Sequence, residues 1–311
     1  MKIKPVVTVF ILLLLAAAGM TLVLYRAAPP AGSARKLKVV ATLFPLYDMA
    51  FAIGGANTEV SLLLPPGVEP HSFDPKPGDM ARINQADVFI YTGALMEPWA
   101  EDLLKSVSNK DLLAVNAGRA AGFGVRGAGL GEDGRHEDPH IWLDFDNARL
   151  MARHIAAALE EKDPSNSAVY RKAATAYDGR LAALDAAYKT GLSSCRTKEI
   201  VYGGHYAFAY LARRYGLRYF AAQGLSPDAE PTARDLAALV DQIRKDKIKF
   251  VFYEELTSPR IAETLAAETG AKMLMLSAAH NISKDQLLRG VSFFDILQND
   301  LDSLREGLEC R

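Results

Sequence analysis

The sequence predicts an α/β protein built as two similar halves, each a parallel sheet covered by helices, joined by one long helix. Three observations carry this. Strand and helix signals alternate from Lys36 onward and then start again after Cys195. Such alternation buries a parallel sheet under helices on both faces. Between the two series lies a helical stretch of roughly 30 residues, about 45 Å at 1.5 Å per residue, enough to run the length of both halves. The third is length, since 311 residues exceed most single cores and suit two lobes of roughly 120 to 150 residues.

In chain order, KLKVVATLFPLYDMAFAIGG reads as a buried strand, Lys38 to Thr42, running into a helix that stops at the Gly54-Gly55 pair. TEVSLLLPP gives a second strand, and DMARINQADVFIYTGALME gives a helix and a third strand. The stretch from Ala120 to His140, AAGFGVRGAGLGEDGRHEDPH, is glycine-rich and lacks apolar periodicity. It reads as a surface loop, 120–138, opening directly into His140. NARLMARHIAAALEEKD is helical. Asp163 then stands as an N-cap with Pro164 at the first helical position, and no proline interrupts the run up to Ser194. This predicts a rigid strut, and with no Gly/Ser hinge beside it, no large domain closure.

After Cys195 the series reads KEIVYGGH as strand, YAFAYLARRYGLRYF as helix and strand, and TARDLAALVDQIRKDKIKFVFYEE as helix and strand. PRIAETLAAETGAKMLML closes it with another helix and strand. The divisions are therefore an N-terminal segment 1–35, a first lobe 36–163, a connecting helix 164–194 and a second lobe 195–311.

The N-terminal segment carries two lysines, an apolar run from Val6 to Tyr25, and then Pro, Gly, Ser and Ala. That arrangement is an export signal with the lysines on the cytoplasmic side. About twenty apolar residues also suffice to span a bilayer, so a cleaved signal and a retained anchor both stay open. No cysteine follows the run, which excludes a lipid-anchored N-terminal Cys. The mature protein is expected in the periplasm or otherwise outside the cytoplasm.

Formal net charge is −1, giving no electrostatic case for nucleic acid. Cys195 and Cys310 are the two cysteines. In an oxidising compartment they form one disulfide or remain two thiols, and the spacing leaves both open. They lie too far apart in sequence for a cysteine-based metal site.

Four of the six histidines carry the chemistry. His71, in GVEPHSFDPKP, sits on a proline-stiffened loop after a strand, where open α/β sheets bind ligands. His140, in EDPHIWLD, stands at a loop edge beside buried residues. His205, in VYGGHYAF, follows a strand and a Gly-Gly pair that lets backbone approach a ligand, and opens the next helix. His280, in MLSAAHNIS, occupies the equivalent corner after the last strand. Taken singly, each is as well explained as a solvated or core histidine. Placed at strand ends in both halves, the four make a closed tetrahedral zinc site. His154, inside an amphipathic helix, reads as structural, and His136 belongs to the glycine-rich loop. Glu69 is a spare ligand, a neighbour that orients one, or a solvated charge; Glu254 and Glu255 are further acidic candidates.

These segments together resemble a known family, the extracytoplasmic zinc/manganese solute-binding proteins of ABC-type metal importers, and the zinc-type subgroup most closely. The resemblance covers Lys36 to the end and rests on LFPLYDMAFAIGG, LLPPGVEPHSFDPKPGDMARINQADVFIYTG, DPHIWLD, GGHYAFAYLARRYGL, GLSPDAEPTARDL and FYEELTSPRIAETLAAETGAKMLML. It implies two Rossmann-like lobes joined by one long helix, with the metal in the interlobe cleft. It also implies His71, His140 and His205 as ligands, with His280 at the variable fourth position, and Ser277 where relatives carry an acid or Asn. Membrane permease and ATPase subunits are the implied partners of a monomeric protein. Where zinc-type relatives have a His-rich loop, this chain has glycines and His136.

All-nitrogen ligation favours Zn2+, carried as cargo, over the manganese or iron that mixed carboxylate and histidine sites take. Copper and nickel would bind such ligands at least as tightly in vitro. The competing class is a three-histidine zinc hydrolase with Glu69 as general base. No HExxH pair supports it, and a fourth histidine closes the position a water would need. A purely adhesive protein is a third class, for which the chain offers no repeat or stalk.

Overall fold

Val39, Val40 and Ala41 are buried, as a strand covered on both faces requires. They belong to β1 (Leu37–Ala41) of a computed structural model that describes residues 35–120, 137–225 and 230–311. Helix α1 (Phe44–Gly54) follows and ends where Gly55 takes φ +52°. Gly54 is equally constrained, since a Cβ there would sit 2.1 Å from Oγ1 of Thr58. The chain continues through β2 (Thr58–Leu62), α2 (Pro77–Asn84), β3 (Val88–Tyr91), α3 (Ala100–Lys105) and β4 (Leu113–Asn116). All pairings are parallel, in the order β2-β1-β3-β4.

Asp144 caps α4 (Phe145–Lys162) by accepting from the backbone N–H groups of Asp146 and Asn147. The long helix begins where the sequence expects, with Asp163 in the N-cap position and Pro164 in the first turn, but that turn, Pro164–Asn166, is 3-10, and α5 proper runs Ser167–Gly191, 25 residues. Asp163 caps no backbone N–H through its side chain. Its carboxylate instead accepts from Ser165 Oγ, Asn166 Nδ2 and Tyr170 Oη, because the tighter turn turns the local hydroxyl and amide groups toward it.

The second sheet repeats the first. β5 (Glu199–Tyr202), α6 (Ala209–Arg214), β6 (Arg218–Ala221), α7 (Ala233–Lys245), β7 (Phe250–Tyr253), α8 (Arg260–Thr269) and β8 (Lys272–Met275) alternate, and the strand order is β6-β5-β7-β8, again parallel. Two helices close the chain, α9 (Lys284–Leu288) and α10 (Phe293–Gly307). Ser292 and Asp295 box the start of α10. Cys195 and Cys310 form a disulfide.

Helix α5 buries Tyr170, Tyr177, Leu181, Leu184 and Tyr188 on one face. It packs on α1 and α4 from the first half and on α10 from the second. Tyr177 donates to Asp48 of α1 at 2.8 Å, and Tyr188 donates to the Leu297 carbonyl of α10 at 2.6 Å. One apolar cluster accordingly contains Phe44, Trp142, Tyr188, Phe208 and Phe293 together. The outer faces have their own clusters, Ile83 with Phe89 in the first half and Leu239, Ile243 and Leu265 with Val251 in the second. In such a parallel sheet the ligand crevice lies beyond the carboxyl ends of the strands. Among the described residues no helix is long and apolar enough to cross a membrane. Residues 1–34, where the export signal or anchor is expected, and most of the glycine-rich loop with His136 lie outside the described residues.

Candidate metal centre

Each candidate histidine lies on a loop after a strand or at the start of a tight turn. His71 lies on the loop after β2, His140 precedes a 3-10 turn at Ile141–Leu143, His205 follows β5, and His280 follows β8. His205 does not open a helix; it stands in a loop, where the Tyr206 N–H donates to the Gly224 carbonyl at 2.7 Å, and α6 starts only at Ala209. The glycines before it serve packing rather than ligand approach. A Cβ on Gly203 would lie 2.7 Å from the Ala262 backbone N of α8, and one on Gly204 would lie 2.6 Å from the Tyr202 ring and 2.9 Å from Glu254 Oε2.

The structure brings three imidazoles to one point. His140 Nε2 is 3.2 Å from His71 Nε2 and 3.1 Å from His205 Nε2. Nitrogens held at zinc distance and tetrahedral angles around one ion stand about 3.3 Å apart. The other ring nitrogens of two of these histidines face carboxylates. His140 Nδ1 is 2.7 Å from Asp138 Oδ1, and His205 Nδ1 is 2.8 Å from Glu254 Oε2. With the Nδ1 proton of each ring directed at its carboxylate, both Nε2 atoms are left to a cation in the space between them. His140 and His205 are fully buried and His71 is partly so.

Burial keeps most of these rings neutral, hence able to ligate. Desolvation, with His205 and His280 as charged neighbours, pushes His71 down to about 2. His140 is held well below its ordinary value by the same causes. Burial lowers His280 to about 4. For His205 burial works the same way, but the Glu254 carboxylate outweighs it and raises that imidazole; desolvation likewise opposes charge on Glu254, and His205 overcomes it to hold Glu254 low. Burial raises Asp138 to about 8.

His280 stands one step behind the triad. Its ring centre is 5.6 Å from that of His205 and 6.4 Å from those of His71 and His140. Its Nε2 is 3.8 Å from Glu254 Oε1. Two overlapping ligand groups result, His71 with His140 and His205, and His205 with Glu254 and His280, each with its ligand atoms within 4.8 Å of one another. His280 Nδ1 and Glu254 Oε1 are buried without a hydrogen-bond partner, beside a cavity of about 10 Å³. His154 lies half-buried on α4 and belongs to neither group.

Sequence reasoning did not pick out Asp138. The signal was an acid-Pro-His triplet that occurs twice, Glu69-Pro70-His71 and Asp138-Pro139-His140. In both, the carboxylate accepts the histidine's backbone N–H, at 3.1 Å from Glu69 and 2.9 Å from Asp138. Glu69 thus braces the His71 loop. Ser277 donates its backbone N–H to buried Asp300 at 2.9 Å.

Two facing α/β halves with a buried, carboxylate-braced histidine cluster at their strand ends define a metal-binding protein of two lobes. The chain belongs to the family described as zinc-uptake complex component A, periplasmic (ZnuA), whose model matches residues 39–307. This is a family of solute-binding transport components. The chain is 35% identical over 286 residues to the high-affinity zinc uptake system protein ZnuA of Bacillus subtilis, covering 88% of each. It is 34% identical to the zinc-binding lipoprotein AdcA of Streptococcus pneumoniae, with 87% of this chain spanning 56% of that longer protein. The Zn(II)-bound ZnuA-like domain of S. pneumoniae AdcA superposes with a TM-score of 0.75 at 34% identity, over 88% of this chain and 99% of that one. The laminin-binding protein Lmb of Streptococcus agalactiae, described as an adhesin with metal-transporting activity, gives 0.79 at 30% identity, over 88% and 100%.

Proposed function

We propose that this chain captures Zn2+ outside the cytoplasm and delivers it, as a monomer and without catalysis, to the permease and ATPase subunits of an ABC-type importer. His71, His140 and His205 hold the ion, and His280 closes the fourth position. The observation that carries this reading is the approach of two Nε2 atoms, those of His71 and His205, to within 3.2 Å of His140 Nε2, with Nδ1 of His140 and of His205 braced by carboxylates. Nitrogen donors favour zinc over manganese or iron. The zinc named in the relatives' descriptions supports the same cargo. Residues 1–35 act as the export signal or retained anchor. The lobe limits at 163/164 and 194/195 are part of the same reading, with α5 as the strut between them.

Elemental analysis and zinc titration of the purified chain test the binding, and growth of a deletion strain in zinc-poor medium tests the transport. One tightly held zinc per chain and a zinc-rescued growth defect are expected. A chain that takes up no zinc, or a deletion without effect in zinc-poor medium, sinks the reading.

A further inference from the structure

The loop that carries His71 is held by the opposite half of the molecule. Asn281, one residue past His280, is buried. Its amide Nδ2 donates to the Pro65 carbonyl at 2.9 Å and to the Val68 carbonyl at 2.6 Å, while its Oδ1 accepts from the Ile282 N–H at 2.7 Å. The Gly67 N–H donates to the Ile282 carbonyl at 2.9 Å. The same short segment reaches the other loops of the first half. Phe44 donates its N–H to the His280 carbonyl at 3.2 Å, and Trp142 Nε1 donates to the Ala278 carbonyl at 2.8 Å. Residues 278–282 follow a strand of the second sheet, yet they bond to the loops after β1, before His71 and after His140. Ala279 holds φ +56° to make the bend.

The position is chemically demanding. Both partners are carbonyls, so the side chain must present two N–H donors from one short stem, which an amide does and a carboxylate or apolar group does not. Val68 lies three residues before His71, at most about 10 Å of chain. The intervening stretch is stiffened by Pro70 and by the Glu69 brace to the His71 N–H, so a displacement at Val68 reaches the imidazole rather than being absorbed.

We propose that Asn281 is a positioning residue for the metal: its amide clamps the His71 loop to the segment bearing His280, so that ligands from the two halves are set together and the ion leaves only when this clamp opens. The inference rests on the functional reading above. It is tested on the full chain with Zn2+ and Co2+ as probes. Asn281→Ala is expected to bind one zinc but to release it to a chelator at least tenfold faster, and to alter the visible Co2+ spectrum that reports ligand geometry. Asn281→Leu, of similar volume, is read in its place if the alanine variant does not fold. A folded variant with parental off-rate and Co2+ spectrum, and merely a lower melting temperature without metal, overturns the proposal and leaves Asn281 a structural residue. A parent chain that binds neither zinc nor Co2+ brings down the functional reading, and this inference with it.

Discussion

His140 and His205 point their Nε2 atoms at each other from 3.1 Å while their Nδ1 atoms are bonded to different carboxylates, Asp138 and Glu254. The two rings come from opposite halves of the chain, so the space between them exists only where the halves meet. Truncating either ring removes a ligand outright, whereas changing its carboxylate alters tautomer and orientation while keeping the donor. His205→Ala is therefore expected to lower zinc affinity by orders of magnitude. Glu254→Gln should cost roughly 10- to 100-fold, the usual range for a group that orients a ligand. Competition titration against a chelator ranks the two; equal losses would mean that Glu254 itself ligates.

The buried histidines of the metal-free chain should withdraw stability from it as it is acidified. His280 and His71 are lowered to about 4 and about 2 in the folded state, chiefly by burial, against an unfolded value near 6.5. Below about pH 6.5 the unfolded chain takes up protons that the folded chain refuses, so stability falls with pH through the window down to about 4 for His280 and further for His71. Glu254, held low, acts in the same direction once pH drops into the carboxylate range. The raised His205 opposes it, as do the buried acids Asp138, Glu97 and Asp48, whose raised values make the folded chain take up protons first. Comparison with a His280→Gln variant isolates the histidine: in thermal melts of chelator-treated protein between pH 7.5 and 4.5, the parent midpoint should fall relative to that of the variant. A midpoint difference that does not change with pH would contradict a neutral, buried His280.

Much of this arrangement was legible because its signals are local. Pro-flanked His71, the Gly-Gly pair before His205 and the strand runs on either side announce strand ends, and parallel topology sends strand ends to one crevice. What was not legible depends on partners distant in sequence. Gly204 makes room for Tyr202 and Glu254, which no window around residue 204 reveals. Asp163 looked like a backbone cap, but Tyr170 and two nearer side chains compete for its carboxylate. Strand β4 and helix α3, four and six residues long, were not read, although elements as short were read elsewhere in the chain. Helix α10 was readable, with its Ser292 box and the stripe Phe293, Leu297, Leu301 and Leu304, yet it lies beyond the alternating series that guided the reading.

Gly204→Ala offers a test at one remove from the ligands. The added Cβ would stand 2.6 Å from the Tyr202 ring, itself buried and donating to the Leu276 carbonyl, and 2.9 Å from Glu254 Oε2. Both neighbours are buried, and the Glu254–His205 pair is expected to shift. Overpacking of this kind costs about 1–3 kcal/mol, and zinc affinity should drop tenfold or more. Unchanged zinc titration in a folded Gly204→Ala protein would show that Glu254 does not set the His205 ring.

The disulfide should govern stability and not cargo. Cys195 and Cys310 close 115 residues of sequence, for which loop entropy gives roughly 4–5 kcal/mol of stabilisation. The pair ties the start of the second sheet's series to the end of α10, away from the histidine loops. A Cys195→Ser/Cys310→Ser double variant should unfold at clearly lower denaturant and still bind one zinc per chain with parental affinity. Loss of zinc binding at temperatures where the variant remains folded would tie the disulfide to the site.

The strut is tested at Asp48. This nearly buried carboxylate on α1 accepts from Tyr177 of α5 at 2.8 Å and from the Phe293 N–H at the start of α10 at 3.2 Å, so one side chain joins both halves through the long helix. Burial raises its pKa although both bonds favour the charged form. Tyr177→Phe removes one donor and leaves a carboxylate oxygen buried without it, at a cost of about 1–3 kcal/mol. Asp48→Asn alone should cost a similar amount. Because the two groups share one bond, the double variant should cost less than the two losses added together. Urea midpoints for the four proteins measure this; strict additivity would mean that the Tyr177 hydroxyl and Asp48 do not act as a pair, and that α5 holds the halves through its apolar face alone.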